Sequence, residues 1–358
     1  MKKIAIISSY GQSLISFRGE LIKDLSSSNI RVFALAPDLD ARMKEELINL
    51  GAQPVDYKMS RVGVNPIADF LSFLSIFAQL KNIKPNIVLS YFVKPVVYGS
   101  IAAWLLGVPR RIAMIEGLGY VFTYPIVELS QRVRLLRFLV TSMYRISLKL
   151  VDKIVFLNQD DRFDFLKLKL VNLSNSVCIG GIGIDLNKWR QMPASSVPTV
   201  FLMVARLLRE KGVNEYAQAA KYVKLKYPDT HFLLLGGLDT NPGAIQLEQV
   251  SAWHEQGVLT WYGHVPVAEH MKAASVFVLP SYREGVPVST MEAMAMGRPV
   301  ITTDVPGCRE TVVNGVNGFM VPAQDAIGLA EKMIWFIENA SSIPAMGAAS
   351  RKMAEEKF

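Results

Sequence analysis

"SVFVLPSYREGVPVSTMEAMAMGRPVITT" runs from Ser275 to Thr303. An apolar run leads into a turn with glycine and proline, then a helix-length segment, then a second Val/Ile run. Short continuous apolar runs read as strands buried on both faces, and a helix between two of them makes a parallel β-α-β unit. The stretch predicts a strand over 275–280, a helix over 287–296 and a strand over 299–303. Pro287 suits the first helical turn, where its missing N–H has no intrahelical partner. Glu284 then stands in the loop at the strand's carboxyl end, and Glu292 in the second turn of the helix. The helix start offers free N–H groups and a positive dipole end, an anion site between two carboxylates. Carboxylates there accept hydrogen bonds from hydroxyls, which suits a sugar on one side and a ribose on the other. Two surface glutamates around a core helix are the alternative for the spacing alone.

The alternation extends through the chain. Upstream, "KIAIIS" (3–8), "RVFALA" (31–36), "NIVLS" (86–90), "RIAMI" (111–115) and "KIVFL" (153–157) read as strands. Helix-length segments lie between them at 18–28, 40–50, 66–82, 96–106 and 128–150. Around the opening unit, strands are predicted over 199–205, 230–236, 258–263 and 318–322, with helices over 212–226, 242–256, 266–273 and 325–338. The Gly/Pro/Ser-rich stretch at 179–199 reads as a domain connection. A chain of 358 residues suits two domains, here 1–192 and 193–358. Each is expected to be a Rossmann-like α/β domain with a doubly wound parallel sheet, the two facing across a cleft. Ligands bind beyond the carboxyl ends of such strands.

Hydrophobic residues make up 51% and charged residues 20%, a globular balance that excludes disorder. The net charge of +8 points to an anionic partner: a nucleotide, a phospholipid surface or nucleic acid. Two distant cysteines give neither a disulfide framework nor a metal-type spacing, and a reducing cytoplasm is expected. The N-terminal apolar run is too short for a signal peptide, and no run reaches the length of a spanning helix.

The residues beyond the opening unit narrow the chemistry. Glu284 and Glu292 are separated by seven residues and followed by "GRPVI" at 297–301, Pro306, Gly307, Glu310, Asn317 and Gly318. This combination resembles the donor site of the retaining glycosyltransferases of family 4, which have the GT-B fold, and the resemblance covers nearly the whole chain. "VARLLREKGV" (204–213) is similar to the family's diphosphate clamp, which makes Arg206 and Lys211 its cations. Two cations after a strand, with Gly212 opening a helix, suit a diphosphate leaving group; a solvated basic turn is the alternative. The resemblance implies a UDP-sugar donor held by Gly11, Arg206, Lys211, Val265, Glu284, Gly285, Val286, Pro287, Val288 and Glu292. It implies ribose contacts for Glu292 and contacts with the transferred sugar for Glu284. Glu284, Arg206 and Lys211 are the implied catalytic groups, acting by positioning and charge stabilisation, with no metal or other cofactor. Glu116, after the "RIAMI" strand, is added by its place there as a carboxylate that accepts from an acceptor hydroxyl or acts as a base. "DLD" at 38–40 reads as a helix cap, and the four histidines have no ligand spacing.

The acceptor is expected on the first half. Arg18, Lys94, Glu116 and Tyr120 follow its strands. A surface arginine is the alternative for Arg18, and a cap of the glycine loop for Glu116. "IEGLGYVFT", "SFR" and "GGLDTNP" most resemble the PglA-type branch, which implies α1,3 transfer of N-acetylgalactosamine or a related hexose to an undecaprenyl-diphosphate-linked saccharide. UDP-galactose or UDP-N-acetylglucosamine as donor is the alternative. A basic non-catalytic membrane- or nucleic-acid-binding protein is the reading of another class. A nicotinamide enzyme would want G-x-G-x-x-G after the first strand, which residues 8–19 lack.

Residues 128–153 hold six basic and two acidic residues. Leu129, Val133, Leu136, Val140, Tyr144 and Leu148 recur at helical spacing, with Arg134, Arg137, Arg145 and Lys149 largely elsewhere on the wheel. The expectation is docking of the basic first domain on an anionic membrane surface, at the cytoplasmic face of the plasma membrane and without nucleic acid. An amphipathic helix packed on the sheet is the alternative. Relatives usually continue past "RKMAEEKF" into a helix that crosses back, so a truncated form or a minimal crossing element is expected here.

Overall fold

The computed structural model describes residues 1–60, 65–123, 130–194, 198–239, 241 and 243–358, apart from the side chains of Tyr120 and Val121. The chain divides into two compact units. One is Met1–Glu116 with Tyr124–Ile179; the other is Gly117–Thr123 with Gly180–Phe358.

In the first unit, β1 (Lys3–Ile7), α1 (Gly11–Ser16), α2 (Gly19–Ser27), β2 (Arg31–Ala36), α3 (Ala41–Asn49), β3 (Ala52–Asp56), α4 (Pro66–Ile83), β4 (Ile87–Tyr91), α5 (Val93–Leu105) and β5 (Arg110–Ile115) follow in order. The one-turn α6 (Tyr120–Thr123) groups with the second unit. The first then resumes with α7 (Gln131–Ser147), β6 (Lys153–Phe156), α8 (Gln159–Lys167) and β7 (Ser176–Cys178). All its strands pair in parallel, in the order β3-β2-β1-β4-β5-β6-β7. The central strand β1 is buried from Ile4 to Ile7, as its unbroken apolar run requires.

The two edge strands escape the sequence reading for a physical reason. β3 is the run Ala-Gln-Pro-Val-Asp, half exposed, and Pro54 is tolerated because one side of an edge strand needs no ladder donor. β7 is only three residues long. The helix expected over 18–28 is α2; a further short helix, α1, precedes it, with Phe17 and Arg18 between the two. The apolar positions Tyr144 and Leu148 are buried and Val133, Leu136 and Val140 partly so, while Leu129 lies outside the described residues.

The second unit runs β8 (Val200–Val204), α9 (Val213–Lys226), β9 (His231–Leu235), α10 (Leu247–Glu255), β10 (Thr260–Trp261), α11 (Val267–Ala273), β11 (Val276–Leu279), α12 (Val288–Ala295), β12 (Val300–Thr303), β13 (Gly318–Val321), α13 (Ala326–Glu338) and α14 (Ile343–Lys357). Its parallel sheet has the order β10-β9-β8-β11-β12-β13. The opening unit of the sequence is β11-α12-β12, with Phe277, Val278 and Leu279 in register with Val300, Ile301 and Thr302. Pro287 stands one position earlier than expected, as the N-cap of α12. The sequence reading sets a boundary at residue 192; residues 180–192 pack within the second unit, where the Ile184 N–H donates to the Phe358 carbonyl. The last helix, α14, packs on α12.

Arg298, from "GRPVI", is fully buried and binds only carbonyls. It donates to Met271 O at 3.0 Å, Lys272 O at 3.1 Å and Met192 O at 2.9 Å. It thereby ties the end of α11 to the 180–192 segment, and burial pushes its guanidinium down to about 10. Asn317 is also buried; its amide donates to Thr311 O at 3.0 Å and its carbonyl accepts from Val313 N at 2.7 Å. Part of the quoted motif is therefore an internal brace.

Candidate active site

In the second unit the sheet order sets β10, β9, β8 and β11 side by side, so the loops after these strands cluster at one edge. They carry Val265, Asp239, Arg206 with Lys211, and Glu284. Val265 is partly buried against the core.

Local backbone chemistry brings the β8 and β11 loops together. Gly212 has φ 75°, in the left-handed region, and a Cβ there would meet the Pro280 carbonyl. Only glycine lets the turn rest on that carbonyl without strain. The Tyr282 N–H also donates to Glu210 O at 2.9 Å. Lys211 is thereby carried to Glu284: its Nζ lies 2.5 Å from Oε1. The Ser281 hydroxyl donates to the same oxygen at 2.8 Å. The two side chains keep 18% and 12% of their surface exposed. From the other side, the Glu284 N–H donates to Pro306 O at 3.0 Å. A Cβ on Gly307, which has φ 79°, would meet the Glu284 and Gly285 carbonyls. The glycine of "PG" is thus needed where two loops touch.

Arg206 Nη1 lies 2.7 Å from Asp239 Oδ2, and the arginine side chain is 52% exposed. Asp239 keeps 14% of its side chain exposed, but the arginine half of the pair is open to solvent, which screens it, so the guanidinium can exchange its carboxylate for a phosphate. Asp239 escaped the sequence reading as a partner, although "GGLDTNP" contains it. Its position after β9, next to β8 in the sheet, is the signal that finds it.

Gly285, Val286 and Pro287 are buried and Val288 partly so. No side chain caps the start of α12. Glu292 lies one turn further along that helix. Burial pushes its carboxyl up to about 7, against the opposing pull of Lys188. In the unfolded chain this acid ionises near 4.5. Between those values the folded protein holds a proton that the unfolded chain has lost, so stability falls as pH rises from about 4.5 to about 7 and is flat above. Glu292→Gln removes this dependence. Melting temperatures of parent and variant are expected to converge at pH 5, with the variant higher at pH 8. Parallel melting curves across that range would refute the assignment.

In the first unit, Gly11 opens α1, but its N–H donates to Asp38 Oδ1 at 2.7 Å. Asp40 caps α3 by accepting from Met43 N at 2.7 Å, the cap expected for "DLD". Arg18 is 2% exposed, not a surface cation. It forms an ion pair with Glu116 and lies 4.6 Å over the Tyr91 ring. The Tyr91 hydroxyl lies 2.8 Å from Ser13 Oγ, which lies 2.8 Å from Ser8 Oγ. Glu116 directly follows β5, with 12% of its side chain exposed. Lys94 Nζ lies 2.8 Å from Asp69 Oδ1 and donates to Ser60 O at 2.9 Å. Phe92 precedes Val93 and Lys94 at φ 67° and ψ 156°, a conformation non-glycine residues seldom adopt and one that clusters at functional sites. The structure thus brings Arg18 to Glu116, while Lys94 has a separate carboxylate. The side chain of Tyr120 lies outside the described residues.

Residues 198–339 match the sequence model of the group 1 glycosyl transferases, and residues 3–158 that of the glycosyl transferase 4-like proteins. The chain is 31% identical over 353 residues to the N,N'-diacetylbacillosaminyl-diphospho-undecaprenol alpha-1,3-N-acetylgalactosaminyltransferase of Campylobacter jejuni, across 94% of this chain and 90% of that protein. It is 26% identical over 276 residues to the UDP-Gal:alpha-D-GlcNAc-diphosphoundecaprenol alpha-1,3-galactosyltransferase of Escherichia coli, across 73% and 69%. Anabaena Alr3699/HepE, solved in complex with UDP-glucose, superimposes with a TM-score of 0.77 at 17% identity, across 100% of this chain and 96% of that one. The fold and the site therefore define a sugar-transferring enzyme of the GT-B class. The chain belongs to the group 1, family 4-like glycosyltransferases.

Proposed function

We propose that this enzyme is a retaining, metal-independent hexosyltransferase that moves N-acetylgalactosamine, or a related hexose, from its UDP-sugar to an undecaprenyl-diphosphate-linked saccharide in α1,3 linkage. The observation that carries the reading is the Lys211–Glu284 pair at the carboxyl ends of β8 and β11, with Arg206 beside it and Glu292 on α12. An ammonium has three donors. Lys211 can keep Glu284 and still donate to a phosphate oxygen as the diphosphate leaves, while Arg206 exchanges Asp239 for the same group. Glu284 accepts from a hydroxyl of the transferred sugar, and Glu292 from the ribose. These cations do the charge neutralisation that a metal supplies elsewhere. On the acceptor side, Glu116 receives the attacking hydroxyl's hydrogen bond, with Arg18 as its counter-ion. The leaving diphosphate takes the acceptor proton.

The name of the Campylobacter relative supports N-acetylgalactosamine and a lipid-diphosphate acceptor. The name of the Escherichia coli relative favours a second reading, UDP-galactose as donor. A lipid-linked acceptor also places the enzyme on the cytoplasmic face of a membrane, docked through the first unit with Arg134, Arg137 and Arg145. No helix among the described residues is long and apolar enough to cross one. The test is a donor screen with a short lipid-diphosphate sugar and excess chelator, reading product mass, linkage and anomeric configuration. A product in α linkage from UDP-N-acetylgalactosamine is expected. An inverted product, or activity abolished by the chelator, overturns the corresponding part.

A further inference from the structure

The crossovers from β3 to β4, β4 to β5 and β5 to β6 all run the same way along the first sheet. Right-handed crossovers place α4, α5 and α7 on one face of it, and α4 packs on α5 and α5 on α7. The outer surface of this layer is not polar. On α4, Ile67, Phe70, Leu71 and Leu74 are 75, 59, 57 and 43% exposed. Their spacing puts them on a single stripe. The opposite face of the same helix, with Ser72, Ile76, Leu80 and Ile83, is buried in the fold. Scattered exposed apolar residues need no explanation, but a contiguous stripe of large ones marks an interaction surface. On α7, Leu135, Phe138 and Leu139 are 60, 64 and 40% exposed, beside the exposed Arg132, Arg134 and Arg145.

Charge selects the occupant. α5 and α7 contain no acid. The one acid of α4, Asp69, is buried and paired with Lys94. The layer therefore sets apolar side chains and arginines against its partner and, from these helices, no exposed negative charge. That combination fits an anionic phospholipid surface, where apolar groups enter the acyl boundary and cations meet headgroups.

We propose that α4 is a membrane-insertion element, its Ile67–Phe70–Leu71–Leu74 stripe entering the interfacial layer of an anionic bilayer while the arginines of α7 lie on the headgroups. The choice of a bilayer rests on the lipid-docking reading above; the inserting helix is the addition. The stripe is already exposed in the folded chain, so polar substitutions leave the core intact.

The experiment uses the full chain and vesicles of phosphatidylcholine with about one third phosphatidylglycerol. Phe70→Ser with Leu74→Ser is expected to weaken co-sedimentation at least about tenfold with an unchanged melting temperature. Phe70→Trp is expected to shift its emission to the blue on adding vesicles and to be quenched by lipids brominated on the acyl chain. Arg134→Gln with Arg145→Gln should instead reduce the dependence on phosphatidylglycerol content. Unchanged binding of the doubly serine-substituted variant, or emission from the Phe70→Trp variant that is indifferent to vesicles, overturns insertion. So does a dimer by light scattering that the double substitution turns into a monomer, because the stripe then faces a second copy. Transfer to a short-chain, water-soluble acceptor separates this from the function itself. Insertion predicts full activity there for the doubly substituted variant. A parent that binds vesicles through Phe70 but transfers to no diphosphate-linked acceptor defeats the acceptor reading and leaves insertion standing.

Discussion

Lys211→Met is expected to lower turnover by about 10²–10³-fold, the usual loss when one preorganised donor is removed from a developing charge. The reason lies in the pair it breaks. Lys211 and Glu284 are 2.5 Å apart and largely shielded from water, and the loops that carry them are held by Gly212, Tyr282 and Gly307 rather than by the pair itself. The loops should keep their course when the ammonium goes, so the loss falls on chemistry and on diphosphate affinity. UDP binding by calorimetry should weaken in parallel. Lys211→Arg should recover only part of the rate, because a planar fork does not reproduce a compact ammonium. Turnover within about threefold of the parent would remove Lys211 from the diphosphate site.

Arg298→Met is expected to have the largest effect on stability, a loss of about 3–5 kcal/mol by analogy with stranding a partner of a buried charge. Three carbonyls at Met192, Met271 and Lys272 share this one guanidinium, and each unsatisfied buried acceptor costs about 1–3 kcal/mol. A fall in melting temperature on the order of 10 °C follows for a unit of this size. Arg298→Lys should rescue little, since one ammonium cannot span carbonyls from a helix end and a distant segment. A melting temperature within about 2 °C of the parent would show that water or repacking satisfies the carbonyls. This separates the two halves of the motif: Glu284 serves the candidate site, whereas Arg298 and Asn317 hold the unit together.

The central strands were legible because burial on both faces leaves an unbroken apolar run, as in Ile4–Ile7 and Val276–Leu279. The edge strand β3 was not, because one side faces solvent and its run carries Gln53, Pro54 and Asp56. The carboxylates and cations of the candidate site were legible as residues, since Glu284 and Lys211 each lie a few positions beyond a readable strand. Their pairing across 73 residues was not.

The amino-acid sequence by itself determined the parallel α/β architecture and the loops where chemistry collects, because strand burial and turn geometry are written within a few neighbouring residues. Tertiary structure alone decided which charges meet. It buried Arg18 against Glu116 and Tyr91, gave Asp239 to Arg206, left Glu292 with a raised carboxyl, and turned the Phe70–Leu74 face of α4 outward. These outcomes depend on which elements pack beside one another, and that is settled by the order of strands in the sheet rather than by any local run of side chains.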